Sequence, residues 1–272
     1  MIHISDLEVV FSLGTPLEKK VFHQLSLTIP AGEFITIIGS NGAGKSTLLN
    51  VLSGEVNPRS GLKNGQVVIS DRDVTSWSVT KRSRLLSRVF QNPLAGSCAD
   101  LTVEENLVLA QNRTQQLGLR PAIGKIRRRQ FRERLSHLGL GLEDRLSDRM
   151  GLLSGGQRQA VSLVMATLAP TQVLLLDEHT AALDPKTARF ILELTRSLVA
   201  EQKLTTIMVT HSMQQALELG NRTLMLHEGA IALDISGKER KGLSVSDLLA
   251  TFANQKDSRS AQAVSDDALL LG

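Results

Sequence analysis

The sequence predicts an α/β fold in which a parallel sheet carries an inserted helical lobe. Strand-like and helical runs alternate along the chain, most clearly after residue 172. An apolar run, 34–38, leads through a glycine-rich loop into a helical pattern. From about 92 to 168 the pattern is helical throughout. Alternating strands and helices favour a parallel sheet, and the long helical stretch then forms a lobe within it.

Each element has its own local signal. Strands are predicted over 2–11 and 21–29, where apolar and polar residues alternate, and another short one over 66–70. Ser244 and Asp247 have the spacing of a capping box that begins a short helix ending near Phe252. The remaining predictions are a strand at 173–177, a helix at 185–202, a strand at 205–210, a helix at 212–219 and two short strands around Glu228-Gly229.

Length and composition are typical of a water-soluble enzyme. The chain has 272 residues, of which 42% are hydrophobic. No apolar run approaches the ~20 residues that span a bilayer. Strand alternation begins at Ile2, which leaves no room for a signal peptide, and the one cysteine, Cys98, cannot form an internal disulfide. We therefore expect a cytoplasmic protein, with a small polar tail at 255–272 that is disordered.

The net charge of +4 is concentrated in one stretch, Arg120 to Arg134. Apolar residues recur through it at helical spacing, which predicts an amphipathic helix with a basic outer face. That face is either simply solvated, in contact with membrane headgroups or a membrane partner, or a nucleic-acid surface. Aromatic residues make up 3% and tyrosine is absent, so base stacking, and with it a nucleic-acid partner, is not expected. The apolar positions are Ile123, Ile126, Phe131, Leu135 and Leu138.

The glycine-rich loop fits the phosphate-binding pattern G-x-x-x-x-G-K-[ST]. Its glycines allow tight turns whose N–H groups point at phosphate oxygens, at the positive end of the next helix. Lys45 would reach the β- and γ-phosphates, and the Ser46 hydroxyl would bind Mg²⁺. The alternative is a glycine turn that only joins a strand to a helix. The residues of the loop are Gly39, Ser40, Asn41, Gly42, Ala43, Gly44, Lys45, Ser46 and Thr47.

Two carboxylates end the apolar strand predicted at 173–177. Ligands bind at the carboxyl ends of buried parallel strands, so Asp177 suits a role in holding Mg²⁺, directly or through water. Glu178, one residue later, could polarise an attacking water. The alternative is that both acids only cap the next loop.

These segments, together with several others in fixed order, resemble the nucleotide-binding domains of the ABC-transporter family over about residues 1–254. The resemblance implies a P-loop NTPase (RecA-like) core with an antiparallel β subdomain and a helical subdomain inserted at about 92–168. It also implies ATP and Mg²⁺ as ligands and an ATP-driven head-to-tail homodimer. The motifs that carry it are Ser154-Gly-Gly-Gln157-Arg-Gln, Leu176-Asp-Glu, Ala182-Leu-Asp184, Val89-Phe-Gln91 and Val209-Thr-His211.

In the family, the matching residues complete the ATP site. The resemblance makes Gln91 a contact of Mg²⁺ and the attacking water, His211 a contact of the γ-phosphate, and Asp184 part of the dimer interface. It makes Ser154, Gly155, Gly156 and Gln157 the residues that bind the partner's ATP. Local roles exist beside these: Ser154 and Gln157 form a capping-box pattern, Asp184-Pro185 resembles a helix start, and a lone histidine is more often structural.

Two positions depart from the family pattern. The family stacks adenine on an aromatic residue, often tyrosine; Phe11 is the candidate here, with ordinary packing as its rival role. His179 stands where the family usually has proline, and its loop geometry does not follow from the sequence.

The wider motif context resembles bacterial importer ATPases labelled for tryptophan, tyrosine or related small solutes. This implies permease subunits as partners, a substrate-binding protein acting indirectly, and a location on the cytoplasmic face of the membrane. Residues 92–102 are expected to make the main permease contact, and Asp100 and Glu104 to matter for coupling. The alternatives are an ABC ATPase of a lipid-trafficking or non-transport system, and a small-molecule P-loop kinase, which would lack the Ser154–Gln157 motif.

Overall fold

The computed structural model describes residues 1–114 and 124–250. Predictions made for Arg120 and Ile123, for the helix end near Phe252 and for the tail at 255–272 lie outside these ranges. Within them, the strands form a six-stranded and a four-stranded sheet, and the fold class predicted from the sequence is confirmed.

The six-stranded sheet has the order β10-β9-β3-β8-β7-β6. Every neighbouring pair is parallel except β9 and β10. The carboxyl ends of β3, β7 and β8 therefore meet at one edge, where ligands bind in sheets of this type. The strands are β3 (Phe34–Gly39), β6 (Leu86–Val89), β7 (Val173–Asp177), β8 (Thr205–Val209), β9 (Arg222–His227) and β10 (Ala230–Ser236).

The four-stranded sheet is antiparallel, with the order β2-β1-β4-β5. Its inner face packs on the parallel sheet and on the first helix, α1, in one continuous hydrophobic core around Phe22. The packing sets the antiparallel sheet directly beside the start of α1. Its strands are β1 (Ile2–Phe11), β2 (Lys19–Ile29), β4 (Leu62–Ile69) and β5 (Arg72–Asp73).

Helices α3, α4 and α5 follow β6 and precede β7 in the chain, as the helical pattern predicts. Their buried faces form a second core together with α6, and most of α5 is buried. Residues 245–250 are helical, and Ser244 and Asp247 bond reciprocally at their start. The helices are α1 (Lys45–Ser53), α2 (Val79–Arg82), α3 (Val103–Asn112), α4 (Lys125–Ser136), α5 (Gly155–Leu168), α6 (Pro185–Gln202), α7 (Met213–Glu218) and α8 (Gly237–Lys241).

Helix α4 is basic, but its apolar stripe is shorter than predicted. Phe131 and Leu135 are buried, whereas Ile126 is 80% exposed. The placement of Ile126 on the packed face was wrong, because it lies in the first turn of α4, outside the core of the lobe. Arg128 and Arg132 pair with acidic side chains of the lobe, so part of the basic face is already neutralised.

Arg82 is a fully buried cation at the end of α1. Its guanidinium donates to the carbonyl oxygens of Val51 and Leu52 at 2.5 and 2.9 Å, and to that of Thr75 at 3.0 Å. Burial lowers the pKa of Arg82 to about 10. The side chain therefore caps the negative end of the helix dipole and joins α1 to the segment after β5.

Candidate functional site

The glycine-rich loop leaves β3 and enters α1 in a conformation that needs glycine at two places. Gly39 has φ 151°, and a Cβ there would collide with the carbonyl oxygen of Leu226. Gly44, just before α1, has φ 102°, and a Cβ would lie 2.7 Å from Cε1 of Phe22. Only glycine tolerates both the left-handed conformation and the close approach. The loop thus turns tightly into the N-terminus of a nine-residue helix.

Lys45, the first residue of α1, points back along the loop. Its Nζ donates to the carbonyl oxygens of Gly39 at 2.8 Å and Ser40 at 2.9 Å. Burial lowers the pKa of Lys45, and the nearby carboxylates of Glu178 and Asp177 oppose that shift. The ammonium group therefore lies within the turn of the loop, close enough to both acids for their charges to act on it.

A pocket of about 370 Å³ opens over this loop. Lys19 and Val21 of β2 contribute to its wall, and the sequence did not single these two residues out. The structure brings together in one pocket most of the residues predicted for one chain's half of the site. These are Phe11, Asn41, Gly42, Gly44, Lys45, Ser46, Thr47, Glu178 and His211.

Glu178 and His211 form a close pair at the pocket wall. His211 Nε2 lies 2.6 Å from Glu178 Oε1, and the Glu178 side chain is 12% exposed. Glu178 has φ 46°, a left-handed conformation that is uncommon outside glycine. Its backbone N–H donates to the Val209 carbonyl at 3.0 Å, which fixes the turn after β7.

Asp177 ends β7 and is paired with a residue that the sequence did not single out. Arg88 of β6 donates from Nη2 to Asp177 Oδ2 at 2.6 Å. The sequence did not predict β6, so the available signal was limited to a charged residue three positions before Gln91. A charge at such a position needs a buried partner.

The oxygen atoms near the loop fit Mg²⁺. The Ser46 hydroxyl lies in the exposed wall of the pocket, and the Asp177 side chain is 14% exposed. Across 1–114 and 124–250, no group of three or more His, Cys, Asp or Glu side chains could hold a metal ion. Mg²⁺ characteristically takes one or two protein oxygens and completes its shell with phosphate and water oxygens. The donors present match that pattern.

Gln91 is not among the residues that line this pocket. It follows β6 and is exposed, and the preceding carbonyl, of Phe90, accepts a hydrogen bond from Gln159 Nε2 at 3.4 Å. The structure thus places Gln91 where the helical lobe leaves the sheet, without bringing its side chain to the loop.

The Ser154–Gln157 segment forms the start of α5. Ser154 Oγ accepts from the Gln157 N–H at 3.2 Å, and Gln157 Oε1 accepts from the Ser154 N–H at 3.1 Å, so the predicted capping box is present. Ser154 is exposed, and none of the four residues lines the pocket. A Cβ on Gly156 would collide with the Thr187 methyl group, so a larger residue there would force the Thr187 side chain to move.

Asp184 and Phe11 have the local roles that the sequence left open. Asp184 caps α6 by accepting from the Thr187 N–H at 3.1 Å, and hydrogen bonds from Thr187 lower its pKa. The Phe11 ring packs beside Gly61 and also lines a second pocket of about 460 Å³. Packing and a place in the phosphate pocket therefore coexist at Phe11.

His179, directly after Glu178, is buried. Its Nε2 lies 3.0 Å from Thr195 Oγ1 on α6, and burial lowers the pKa of His179 to about 4. The ring is thus held neutral and ties the loop after β7 to α6.

One expectation about the outer surface was wrong. Glu104 is 4% exposed, and its Oε2 accepts from Arg128 Nη1 at 2.8 Å. Because this carboxylate links α3 to α4 inside the lobe, it cannot be part of an exposed contact surface. Asp100 is exposed, as expected.

A phosphate-binding loop at the end of a parallel strand, with two carboxylates ending a nearby strand, defines a P-loop nucleotide-hydrolysing domain. The model of the ABC transporter family matches residues 22–181. The chain belongs to this family, and it is an ABC-type ATPase.

Several known proteins are similar along most of their length. A "Tyrosine transport ATP-binding protein" of Clostridioides difficile (strain R20291) is 43% identical over 252 residues, covering 93% of this chain and 98% of the relative. A thiamine import ATP-binding protein of Escherichia coli (strain UTI89 / UPEC) is 35% identical, covering 78% of this chain and 86% of that protein.

Solved structures agree with the fold. The ATP-binding cassette MJ0796, in a dimeric post-hydrolysis state bound to ADP and Pi, superposes with a TM-score of 0.74 at 27% identity, covering 87% of this chain and 98% of that one. No helix within 1–114 or 124–250 is long and apolar enough to cross a membrane. The chain is thus an ATP-binding subunit of the kind that energises transporters.

Proposed function

We propose that this chain binds and hydrolyses ATP to energise an ABC importer for a small solute, with an amino acid as the candidate class. The observation that carries the proposal is a single pocket in which the phosphate loop, Lys45 and the Glu178–His211 pair meet. The ATPase domain spans residues 1–254, with its helical subdomain inserted at about 92–168.

In this proposal, each side chain of the pocket has a role in hydrolysis. The loop N–H groups and Lys45 bind the phosphates, with Ala43 and Thr47 completing the loop. Glu178 accepts the proton of the attacking water, and His211, 2.6 Å away, orients that carboxylate and contacts the γ-phosphate. Phe11 stacks on the adenine ring.

Ser46 and Asp177, joined by Gln91, would hold Mg²⁺, which would supply positive charge to neutralise the β- and γ-phosphates. Gln91 reaches the site only if the segment after β6 moves, since its side chain is outside the pocket.

The second half of the ATP site comes from a second copy of the chain. Ser154, Gly155, Gly156 and Gln157 present the N-terminus of α5 outward, and Asp184 lies at the start of α6 on the same interface. The exposed helix start supports this assignment, as does a relative whose solved structures are dimeric. Two copies would enclose two nucleotides, head to tail.

The partners in the membrane are permease subunits, contacted mainly by residues 92–102, and a substrate-binding protein acts through them. The chain would therefore lie on the cytoplasmic face of the membrane. Similarity to a tyrosine transport subunit over 98% of its length favours an amino acid as the solute. The alternative is a lipid-trafficking or non-transport ABC ATPase.

A transport assay tests this proposal. The chain is co-purified with a permease from the same organism, reconstituted in vesicles with a substrate-binding protein, and supplied with labelled tyrosine, tryptophan or thiamine. We expect ATP-dependent uptake of an aromatic amino acid that is lost with Lys45→Ala. Uptake of thiamine alone would contradict the amino-acid assignment, and ATP hydrolysis unaffected by any solute or permease would favour the non-transport alternative.

A further inference from the structure

Arg88 of β6 contacts Asp177, the end of α1 and Phe90. Its side chain is 9% exposed. Nη2 donates to Asp177 Oδ2 at 2.6 Å, while Nη1 donates to Asn50 Oδ1 at 2.7 Å and to Glu55 Oε1 at 3.0 Å. The Arg88 guanidinium thus joins Asp177, at the end of β7, to the end of α1.

This geometry fixes the direction of the Asp177 carboxylate. The guanidinium is planar and holds its donors in a rigid fork, so its two anchors at the end of α1 determine where Nη2 points. Asp177 Oδ2 is engaged by Arg88, which leaves Oδ1 as the oxygen without this partner. A carboxylate held this way offers one oxygen in one orientation to a divalent cation.

Arg88 also contacts the start of the segment that leads into the helical lobe. Its guanidinium carbon lies 4.8 Å from the centre of the Phe90 ring, and Phe90 directly precedes Gln91. The same side chain therefore touches the metal carboxylate and the base of the lobe.

Charge supports a role for Arg88 beyond stability. Phosphate groups entering the pocket approach the carboxylates of Asp177 and Glu178, whose negative charge opposes them. Arg88 is bonded directly to the Asp177 carboxylate, whereas the Lys45 ammonium is bonded to carbonyl oxygens of the loop. Arg88 therefore offsets the charge of Asp177 at short range.

We propose that Arg88 is a positioning residue for Asp177: it orients the metal carboxylate and offsets its charge, so that phosphates can bind before a divalent cation does. This inference rests on the proposed role of Asp177. Arg88 does not line the phosphate pocket, and its influence would pass through the carboxylate to which it is bonded.

The test compares ADP affinity with Mg²⁺ and with EDTA, using titration calorimetry on the purified full chain. Arg88→Met leaves Asp177 uncompensated, so the affinity in EDTA should fall about tenfold, whereas Mg²⁺ itself neutralises the carboxylate and the affinity in Mg²⁺ should change much less. In Arg88→Met, the ADP affinity in Mg²⁺ divided by that in EDTA (the Mg²⁺-to-EDTA ratio) should be about tenfold higher than in wild type.

Two further variants separate positioning from packing. In an Asp177→Asn background, Arg88→Met should leave the ratio unchanged, because the carboxylate on which it acts is gone. Arg88→Lys keeps the charge but cannot bond Asp177 and the α1 anchors together, so the ratio should rise only about threefold. Arg196→Met, an exposed arginine of α6 bonded to one carbonyl, is the matched control.

The outcomes are distinct. If Mg²⁺ changes the ADP affinity of wild type, but Arg88→Met has the same Mg²⁺-to-EDTA ratio as wild type, this inference is overturned and the proposed function stands. The same conclusion follows if Arg88→Met raises the ratio equally in wild type and in the Asp177→Asn background. A wild type insensitive to Mg²⁺ overturns the metal role in the proposed function and this inference with it. If Arg88→Met does not fold, as judged by circular dichroism, a wild-type ratio in Arg88→Lys is the overturning result.

Discussion

The phosphate pocket and the start of α5 are the two halves of the proposed ATP site, and they differ in how much chemistry one chain completes. In the pocket, Lys45 and the Glu178–His211 pair converge on one concave surface. At the start of α5, Ser154 and Gln157 bond to each other and Ser154 faces outward. We therefore expect a single chain to bind ATP, whereas ATP hydrolysis should require two copies of the chain.

The largest effect should follow from Glu178→Gln. Removing a general base costs about 10²–10⁴-fold in rate, while the contacts to the phosphates remain. We expect hydrolysis by steady-state phosphate release to fall by that factor and ATP binding to persist. With ATP, the variant should then elute as a dimer in size-exclusion chromatography.

Glu193→Gln on α6, an exposed carboxylate outside the pocket, is the control for this change. Near-normal turnover in Glu178→Gln would remove Glu178 from the mechanism. If Glu178→Gln stays monomeric when fully occupied by ATP, ATP binding does not bring the phosphate pocket of one chain to the start of α5 of another.

The second effect concerns the connection between the halves. His179 is bonded to Thr195 of α6, and α6 packs on Gly156 at the start of α5. In the folded protein the pKa of His179, about 4, lies below the ordinary histidine value of 6.5, so the unfolded chain takes up the proton first as pH falls. The free energy of unfolding should drop by about 3 kcal/mol between pH 6.5 and 4 from this group.

Urea unfolding at several pH values measures that slope in wild type and in His179→Gln. The variant should show a shallower fall across the same window, because it has no ring to protonate. If the free energy of unfolding falls equally with pH in both proteins, His179 is not buried in solution and does not connect the pocket to α6.

The third effect is confined to the pocket. Lys45→Ala removes a charge-assisted contact to the phosphates, and such bonds contribute about 1.5–3 kcal/mol. ATP affinity should fall about tenfold to a hundredfold in titration calorimetry of the isolated chain. Lys186→Ala on α6 provides a charge-matched control, and an unchanged affinity in Lys45→Ala would show that the phosphates bind elsewhere.

The smallest effect should come from Ser154→Ala. Losing an N-cap costs about 1 kcal/mol of stability, and ATP affinity of the single chain should not change. In the Glu178→Gln background, however, the ATP-dependent dimer should weaken, as measured by analytical ultracentrifugation. If Ser154→Ala instead weakens ATP binding by the monomer, the contrast between the halves fails.

The elements that the sequence predicted correctly are marked by patterns of a few adjacent residues. Strand β7 is a continuous apolar run, and α6 begins with Asp184-Pro185, so their bounds match the predictions. Strand β6 is four residues long and contains Ser87 and Arg88, too short and too polar to show a period. It went unpredicted for that reason.

The parts that were missed depend on contacts between distant positions. The Arg88–Asp177 pair spans 89 residues of sequence, and the Glu104–Arg128 pair that buries Glu104 spans 24. A local pattern shows the charge but not its partner. The end of the apolar strand predicted a role for Glu178, and the family resemblance predicted one for His211. Their 2.6 Å contact and the bond from His179 to Thr195 required coordinates.

The buried Arg82 has a mechanical consequence. By holding the last carbonyls of α1 and that of Thr75 with one side chain, it makes the helix behind the phosphate loop and the edge of the antiparallel sheet a single cooperative unit. Amide hydrogens of α1 and β4 should then exchange with solvent at the same opening free energy. We expect a rearrangement that follows ATP binding to involve the helical lobe beyond Phe90, while α1, behind the phosphate loop, stays fixed.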